Sequence, residues 1–213
     1  MLKIGLEVHV PLNKLNTKLF CSCKIPDENE EPNSSTCEIC LGMPGSKPVL
    51  NKKAVEFALK LAIALNFKIN GQFFFSRKTY FYPDMTKNYQ ITQYEVPVGE
   101  NGYIELSSGK KISLRRIHLE EDPGALVHYS NYVLIDYNRA GIPLCEIVTE
   151  PEISTAEEAR EFIKKLNTII SYIDVFDNKK GPIKADVNIS MSGYERVEIK
   201  NISGFQAIEK SVL

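Results

Sequence analysis

The chain has 213 residues, of which 25% are charged and 43% hydrophobic, so its composition argues against disordered, collagen-like and coiled-coil architectures. The 26 Lys and Arg residues nearly balance the 27 Asp and Glu residues, so bulk charge identifies no partner and a nucleic-acid ligand would need a local patch. Because no run reaches the roughly 18 apolar residues of a membrane span and no signal peptide is recognisable, we expect a cytoplasmic protein without a membrane partner.

The first predicted element is a strand over residues 2–10. Apolar residues occupy every second position of this segment: Ile4, Leu6, Val8 and Val10. This is the period of a strand with one buried face. Glu7 and His9 fall between the apolar positions, so they share the polar face of the strand.

The second predicted element is a loop that a metal ion holds together. Residues 21–50 are rich in Pro, Gly, Ser and Asn, and they contain two cysteine pairs separated by 13 residues: Cys21 with Cys23, and Cys37 with Cys40. In a reducing compartment, two such pairs favour a tetrahedral structural Zn²⁺ site over disulfides. We therefore expect a loop-built zinc element at residues 18–45, although four unrelated small core residues remain the alternative.

The middle of the chain predicts one helix followed by several strands. Apolar residues recur at helical spacing from Lys52 to about Asn66, which predicts an amphipathic helix. Residues 71–106 combine many aromatic residues with Pro and Gly, which indicates short strands and turns. Further strands are expected over 112–120 and 131–138. Alternation in the first of these places Arg116, His118 and Glu120 opposite Ser113, Arg115, Ile117 and Leu119.

The last third of the chain predicts a long helix, two strands and the start of another helix. Ser154 and Glu157 have the spacing of a capping box, and apolar residues follow at helical spacing up to Ile173. Strands are expected over 184–190 and 195–200, and a helix begins near Ala207. Strands with one apolar and one charged face, and few helices, predict an α+β fold in which helices cover one face of an antiparallel sheet.

Acidic residues recur on the polar faces of several predicted strands. They are Glu7, Glu120, Glu121, Asp122, Asp186 and Glu198, with His9 and Asn188 beside them. Hard oxygen ligands with one imidazole suit Mg²⁺ or Mn²⁺ better than zinc. Strict alternation places Glu121 opposite Glu120, so both can ligate one metal only where the strand bends. The alternative is an antiparallel sheet that exposes one charged face to water.

Basic and aromatic residues alternate along the middle of the chain. They include Arg77, Lys78, Tyr80, Tyr82, Lys87, Arg115, Arg116 and Arg139. Such residues can hold a phosphate backbone and stack a base, although core aromatics beside solvated charges are the alternative for each one. Neither a Walker-type phosphate loop nor a dinucleotide-binding glycine motif is present, so any ATP site has a different construction.

Several long segments resemble one family, the B subunits of the aspartyl/glutamyl-tRNA amidotransferases. They occur in the family's order and cover nearly the whole chain: IGLEVHVPL (4–12), KLFCSC (18–23), CEICLGMPGSKPVLN (37–51), RKTYFYPDMTKNYQIT (77–92), RRIHLEEDPG (115–124), DYNRAGIPLCEIVTEPE (136–152), and KADVNIS followed by VEIKNISGF (184–205). The resemblance implies a catalytic domain similar to glutamine synthetase and guanidino kinases.

The resemblance also implies an activity and its partners. ATP would phosphorylate the side-chain carboxylate of misacylated Glu-tRNA(Gln) or Asp-tRNA(Asn), and ammonia from a glutaminase partner, the A subunit, would then aminate it. A small C subunit would complete a heterotrimer. Because family members continue into further tRNA-binding domains, we expect residues 1–213 to be a catalytic cradle domain that is incomplete at its C-terminus.

Site residues follow by similarity to the family's motifs. Glu7, His9, Glu120, Glu121 and Asp186 match its divalent-metal cluster, which would bind Mg²⁺ or Mn²⁺ with ATP as substrate. Lys78 and Lys87 match lysines near the ammonia channel, and we expect Lys78 or Arg116 to stabilise the acyl phosphate. We expect Tyr80, Tyr82, Arg139 and Asn188 to bind substrate. The cysteines Cys21, Cys23, Cys37 and Cys40 match a zinc site that part of the family has.

Two non-catalytic functions compete with this hypothesis. The chain could be a zinc-stapled tRNA-binding module whose acidic face is only solvated, and acidic side chains more than about 10 Å apart would favour that function because one metal could not reach them all. It could instead be an assembly surface for the glutaminase, which a large exposed apolar patch would favour.

Overall fold

The structure, a computed structural model, describes residues 2–27, 29–180 and 182–212. The helices are α1 (Lys52–Ala64), α2 (Ala156–Tyr172) and α3 (Phe205–Val212), with one 3₁₀ turn at Asn178–Lys180. The strands are β1 (Leu2–Pro11), β2 (Lys68–Ile69), β3 (Ser76–Thr79), β4 (Tyr89–Thr92), β5 (Gly99–Glu105), β6 (Lys111–Glu121), β7 (Ala125–His128), β8 (Val133–Asp136), β9 (Pro143–Thr149), β10 (Lys184–Met191) and β11 (Val197–Ser203). The predicted α+β class is confirmed.

Seven strands form one sheet in the order β11, β10, β1, β9, β6, β5, β2, and each neighbouring pair is antiparallel. The helices lie on one face of it. Ala58 of α1, Phe162 of α2 and Ile208 of α3 belong to the same buried core as Leu6 and Ile147 of the central strands. The opposite face carries the polar side chains.

Within the described part of the chain, no helix is long and apolar enough to cross a membrane.

The starts of α1 and α2 are fixed by side-chain caps. Asn51 accepts hydrogen bonds from the backbone amides of Lys53 and Ala54 at the start of α1. The predicted cap of α2 is wrong by one residue: the hydroxyl of Thr155, not Ser154, accepts from the Glu158 amide. Glu158 in turn accepts from the Ser154 amide and hydroxyl, so it takes the place predicted for Glu157.

The alternation predicted for β6 is wrong in its first half. The pairing of β6 with β9 is irregular between Leu114 and Arg116, which marks a β-bulge. Ile112 and Leu114 therefore lie in the core before the bulge, and Ile117 and Leu119 lie there after it. Arg116, His118 and Glu120 keep the shared polar face that the sequence predicts.

Strand β9 has no counterpart in the sequence prediction, which ended a strand at Arg139–Pro143 and continued to the α2 helix. All seven residues of β9 are buried, so the strand lacks an alternating pattern. It pairs with β1 on one side and β6 on the other, in the middle of the sheet. Its charged side chain, Glu146, consequently lies between β1 and β6.

Two hairpins, β3–β4 and β7–β8, lie outside the large sheet. The β3–β4 hairpin contacts the end of β6: Gln93 Oε1 accepts from the Leu119 amide at 2.9 Å, and Gln90 Nε2 donates to the Glu121 carbonyl at 2.8 Å. The turn between β3 and β4 thereby lies next to the polar face.

Strands predicted over 131–138 and 195–200 are present as β8 and β11.

Candidate active site and metal centres

The centre of the polar face is a row of side chains from three neighbouring strands. Glu146 of β9 is the register partner of both His9 in β1 and His118 in β6. Its Oε2 atom lies 3.6 Å from His9 Nε2 and 3.3 Å from His118 Nε2. Glu120 Oε1 lies 3.5 Å from His9 Nε2. Because the ligand atoms of His9, Glu120 and Glu146 lie within 4.8 Å of one another, they could hold one divalent cation.

Burial and mutual charge set the protonation of this triad. Burial alone lowers the pKa of His9, but the hydrogen bond to Glu146 and the charges of Glu120, Glu146 and Asp186 raise it to about 9. Burial acts to raise the pKa of Glu146, yet hydrogen bonds from His118 and His9 hold it well below its usual range. In the metal-free protein the triad is therefore a buried carboxylate site in which the protonated imidazole of His9 balances the charge.

A second acidic triad lies beside the first. The ligand atoms of Glu7 in β1, Asp186 in β10 and Glu198 in β11 also lie within 4.8 Å of one another. Asn188 Nδ2 donates to Glu7 Oε1 at 3.1 Å, and Asp186 Oδ1 accepts from the Asn201 amide at 2.7 Å. The acidic residues expected to form one cluster are thus brought together as two triads on adjacent strands.

Glu121 belongs to neither triad. Its Oε2 accepts from Lys87 Nζ at 2.7 Å, and its Oε1 accepts from the Ile91 amide at 2.9 Å. Both side chains of the ion pair are almost fully buried. Glu121 thus anchors Lys87 and strand β4 to the end of β6, in agreement with the alternation that places it opposite Glu120.

A cavity of about 490 Å³ opens above the acidic side chains. Its lining combines the acidic floor with four basic side chains: Lys78, Arg139, Lys184 and Lys200. Arg139 donates two hydrogen bonds to Asp122 Oδ2, at 2.7 and 3.0 Å, so its guanidinium has a fixed position. Asp84 also lines the cavity, and its Oδ1 atom is buried without a hydrogen-bond partner among the described residues. Cations next to carboxylates suit a polyphosphate bound with divalent metal ions.

The remaining expected site residues do not line this cavity. Tyr80 and Tyr82 lie near each other, with ring centroids 5.7 Å apart, and about half of each side chain is exposed. Arg116 lies over the Tyr94 ring, 5.3 Å from its centroid. Lys87 is held on Glu121, and Asn188 on Glu7. Lys78 and Arg139 are therefore the predicted basic residues that face the cavity itself.

The four cysteines predicted to bind zinc converge on one point. All four Sγ atoms lie within 4.8 Å of one another. Cys40 Sγ lies 4.0 Å from Cys23 Sγ and 3.9 Å from Cys37 Sγ, and the cysteines are free thiols. Tetrahedral sulfur ligands about 2.3 Å from a zinc ion lie roughly 3.8 Å apart, so the four side chains fit Zn²⁺. The alternative of four unrelated core residues does not explain this convergence.

A buried lysine accompanies the cysteines. Lys18 has no exposed surface, and its Nζ lies 3.6 Å from Cys40 Sγ, with a hydrogen bond of 2.7 Å to the Ser35 carbonyl. A buried ammonium group needs a nearby negative charge. The pKa of the Cys40 thiol is held well below its usual range, first by a hydrogen bond from Cys21 and also by the Cys37 amide and Lys18, although burial opposes this. The hydrogen bond with Cys40 and burial raise the pKa of Cys21, and burial raises the pKa of Cys23, so in the metal-free protein the negative charge lies on Cys40, next to the Lys18 ammonium.

Two residues of the acidic row escaped the sequence analysis, as did Asp84, Lys184 and Lys200 in the lining of the cavity. Glu146 lies in the fully buried strand β9, where it is a lone charged residue within an apolar run. His118 lacked an evident partner because its partner is Glu146. A carboxylate inside an otherwise apolar run was the available signal, since buried charges need partners.

Comparisons with known proteins agree with this geometry. Residues 2–213 match the family described as "GatB/GatE catalytic domain". Curated relatives, each named as the B subunit of an aspartyl/glutamyl-tRNA(Asn/Gln) amidotransferase, include those of Methanospirillum hungatei (51% identical, 98% of this chain, 46% of the relative), Methanosarcina barkeri (50%, 99% and 44%) and Saccharolobus solfataricus (49%, 100% and 47%). The chain spans about half the length of these relatives. The resemblance seen in the sequence is thus confirmed, and the chain belongs to the GatB/GatE catalytic domain family.

Proposed function

We propose that this chain carries the ATP-dependent amidation site of a tRNA amidotransferase, a carbon–nitrogen ligase that uses glutamine as the amido donor. The observation that carries the proposal is the cavity that is lined by five of the six residues of the two triads, all except Glu198, and by four basic side chains. Residues 1–213 would form the catalytic cradle domain, similar in fold to glutamine synthetase and guanidino kinases. Membership of the family and the names of the relatives support the same function.

The reaction has two steps. A carboxylate oxygen of the misacylated Glu or Asp side chain takes the γ-phosphoryl group of ATP, which gives an acyl phosphate and ADP. Ammonia then attacks the acyl carbon, and inorganic phosphate leaves. Phosphoryl transfer needs positioning and charge neutralisation more than it needs protein nucleophiles. An acidic floor with a basic rim provides both.

Each triad would hold one divalent cation. His9, Glu120 and Glu146 would form one site, and Glu7, Asp186 and Glu198 the other. When bound, Mg²⁺ or Mn²⁺ would neutralise the phosphate oxygens of ATP. The protein's own contribution is to hold these side chains on adjacent antiparallel strands, where the ladder fixes their spacing.

The basic side chains would bind the transferred group and its donor. Lys78 faces the cavity, so we assign it rather than Arg116 to the acyl phosphate. Arg139, Lys184 and Lys200 would contact the polyphosphate. Lys87 would lie where ammonia enters, while Tyr80 and Tyr82 would stack on the 3′ end of the tRNA, because exposed aromatic rings are stacking platforms for single-stranded bases.

The glutaminase A subunit, the small C subunit and misacylated tRNA would be the partners, and Zn²⁺ would be a structural cofactor. The alternative of a non-catalytic zinc-stapled module is not favoured, because the acidic ligand atoms lie within 4.8 Å of one another in each triad instead of about 10 Å apart.

The test uses the full-length protein assembled with its partner subunits, charged Glu-tRNA(Gln), glutamine and ATP. Lys78→Met should reduce amidation at saturating substrate by about 100-fold, in line with the loss of one transition-state contact. The matched control is Lys164→Met, on the exposed side of α2, which should retain wild-type activity. Full activity of Lys78→Met would contradict its assignment, and wild-type assemblies that bind tRNA without consuming ATP would contradict the proposed function.

A further inference from the structure

The turn between β3 and β4, which carries Lys87, packs directly against the turn that carries Cys37 and Cys40. Thr86 Oγ1 donates a hydrogen bond to the Cys40 carbonyl at 2.7 Å. The cysteine turn is itself closed by the Leu41 amide on the Cys37 carbonyl and the Met43 amide on the Glu38 carbonyl. The turn that carries Lys87 is therefore hydrogen-bonded to the backbone of the turn that carries two of the four thiols.

The second contact is a close approach at Gly42, two residues after Cys40. Gly42 has φ +68°, and a Cβ atom built on it would lie 2.5 Å from Lys87 Cγ and 3.1 Å from Lys87 Cα. A Cβ atom at these distances would overlap the stem of Lys87, so either the cysteine turn or the turn that carries Lys87 would have to shift. The absence of a side chain at Gly42 thus lets the stem of Lys87 lie on the cysteine turn.

The other end of Lys87 is equally restricted. Its Nζ donates to Glu121 Oε2 at 2.7 Å, with 8% of the lysine side chain and 4% of the glutamate side chain exposed. Glu121 is held in turn by the Ile91 amide. The ammonium group is fixed by Glu121 and the stem by the cysteine turn, so a displaced turn would separate Lys87 from its carboxylate.

We propose that the cysteine turn positions Lys87, with Gly42 and Thr86 as the positioning residues, and that metal bound by the four cysteines maintains this placement. The metal fixes Cys37 and Cys40, and the backbone between Cys37 and Met43 transmits that order to the Lys87 turn. The placement rests on the contacts described above, whereas its effect on amidation rests on the proposed function. The cysteine cluster would then act on the chemistry without contacting the substrate.

The first experiment measures Lys87 directly. The zinc-loaded protein is treated with sulfo-N-hydroxysuccinimide acetate, and acetylation of each lysine is followed by mass spectrometry. Gly42→Ala should raise the acetylation rate of Lys87 about tenfold or more, because a buried ion pair that opens locally becomes reactive. The matched control is Gly45→Ala, since Gly45 has φ +84° and no heavy atom within 4 Å of a built Cβ. It carries the same backbone strain without the contact to Lys87.

The second variant pair tests the hydrogen bond. Thr86→Val removes the donor to the Cys40 carbonyl and should increase Lys87 acetylation, and Thr86→Ser should restore the wild-type rate. Zinc content and melting temperature are measured alongside, so that global unfolding is recognised as equal acceleration at all lysines. Chelation of the zinc should accelerate Lys87 together with Lys18, whose Nζ lies 3.6 Å from Cys40 Sγ, while lysines outside the cysteine loop keep their rates. Equal Lys87 rates in Gly42→Ala and Gly45→Ala, or no effect of chelation, would overturn the proposal.

Activity of the assembled enzyme separates this inference from the proposed function. Gly42→Ala should lower kcat for amidation with little change in KM for ATP, and Gly45→Ala should change neither. If Lys87→Met is inactive while Gly42→Ala has wild-type activity, the positioning of Lys87 by the cysteine turn is contradicted and the proposed function is not. A fully active Lys87→Met would contradict the assigned role of Lys87, while the acetylation rates would still decide the positioning.

Discussion

The acidic triads lie on strands of a seven-stranded sheet, whereas the four cysteines lie on a loop in which most side chains of residues 29–39 are partly or fully exposed. The sheet fixes Glu7, His9 and Glu146 by backbone pairing and a core on its other face. The loop has weaker supports of this kind: Leu19 and Phe20 join the core and Thr17 bridges Lys24, but no residue of 29–39 belongs to the core, so we expect its thiols to need an ion to stay together. One site is organised before its metal arrives, and the other is organised by its metal. Substitutions in the acidic triads should therefore weaken metal binding without unfolding the sheet, whereas substitutions at the cysteine cluster should affect metal binding and folding together.

The sharpest test of this difference is Glu146→Gln, which keeps the side-chain shape and removes the charge. We expect the affinity for Mn²⁺, titrated calorimetrically with ATP, to fall by about 100-fold or more, because one charged ligand of the triad is lost. The sheet should remain folded, since backbone pairing and the core hold it without the metal, but the melting temperature should fall because His9 and His118 lose their shared buried carboxylate. The control is Glu195→Gln, an exposed acidic residue between β10 and β11. Equal heats for Glu146→Gln and wild type would show that the triad binds no metal.

At the cysteine cluster, Lys18→Met should affect metal binding and folding together. The buried ammonium offsets the negative charge of the thiolates, so its loss should weaken zinc binding by about 10- to 100-fold, as for other residues that support metal ligands. Zinc release to a competing chelator measures this change, and limited proteolysis of residues 18–45 measures the order of the loop. Lys24→Met, an exposed lysine of the same loop, is the control. Unchanged zinc release in Lys18→Met would exclude the charge-balancing role.

The acidic triad should also show a pH dependence. The pKa of His9 is raised to about 9 in the metal-free protein, so its stabilising ion pairs are complete below pH 6.5 and are lost as the pH rises through 9. A metal ion must displace the proton, so the apparent Mn²⁺ affinity should rise about tenfold per pH unit between pH 7 and 8. Calorimetry in buffers of different ionisation enthalpy counts the released protons. His9→Asn should flatten the slope, and a flat slope in the wild type would contradict the protonated ground state.

The smallest expected effect lies outside both metal sites. It gives the loss of stability to be expected from a substitution that touches no metal ligand. Thr155→Ala removes the N-cap of α2 and should lower the free energy of unfolding by about 1 kcal/mol. Urea denaturation measures the change, and Thr168→Ala on the exposed face of the same helix is the control. Wild-type stability of Thr155→Ala would mean that Ser154, the cap predicted from sequence, does the capping.

The sequence predicts the elements whose two faces differ. The strand that carries Glu7 and His9 has a clear alternation, and the amphipathic helices have a clear apolar stripe, so both were found. Strand β9 was missed because burial on both faces removes the alternation, and Glu146 was missed with it. The bulge in β6 was missed because pattern alone does not show where a strand gains a residue.

The cysteine site was predictable from spacing, since few arrangements other than metal binding bring two such pairs together in a reducing compartment. The contact between its turn and Lys87 was not, because the residues concerned are a glycine and a threonine whose sequence neighbourhood has no pattern. The division of the acidic residues into two triads likewise depends on the order of strands in the sheet, which the local sequence does not contain.

The bulge between Leu114 and Arg116 restricts how the gene for this protein can change in length. Before the bulge, Ile112 and Leu114 face the helices, and after it Glu120 faces the cavity. Loss of the codon for Arg115, the extra residue of the bulge, would leave β6 in plain alternation with Ile112 and Glu120 on their present faces. Loss of one residue after the bulge would instead exchange the two sides of the strand end, and Glu120 would turn toward the core. Arg115 is therefore a position at which β6 can lose a residue without moving a side chain from one face to the other, and substitutions of its exposed side chain are tolerable as well.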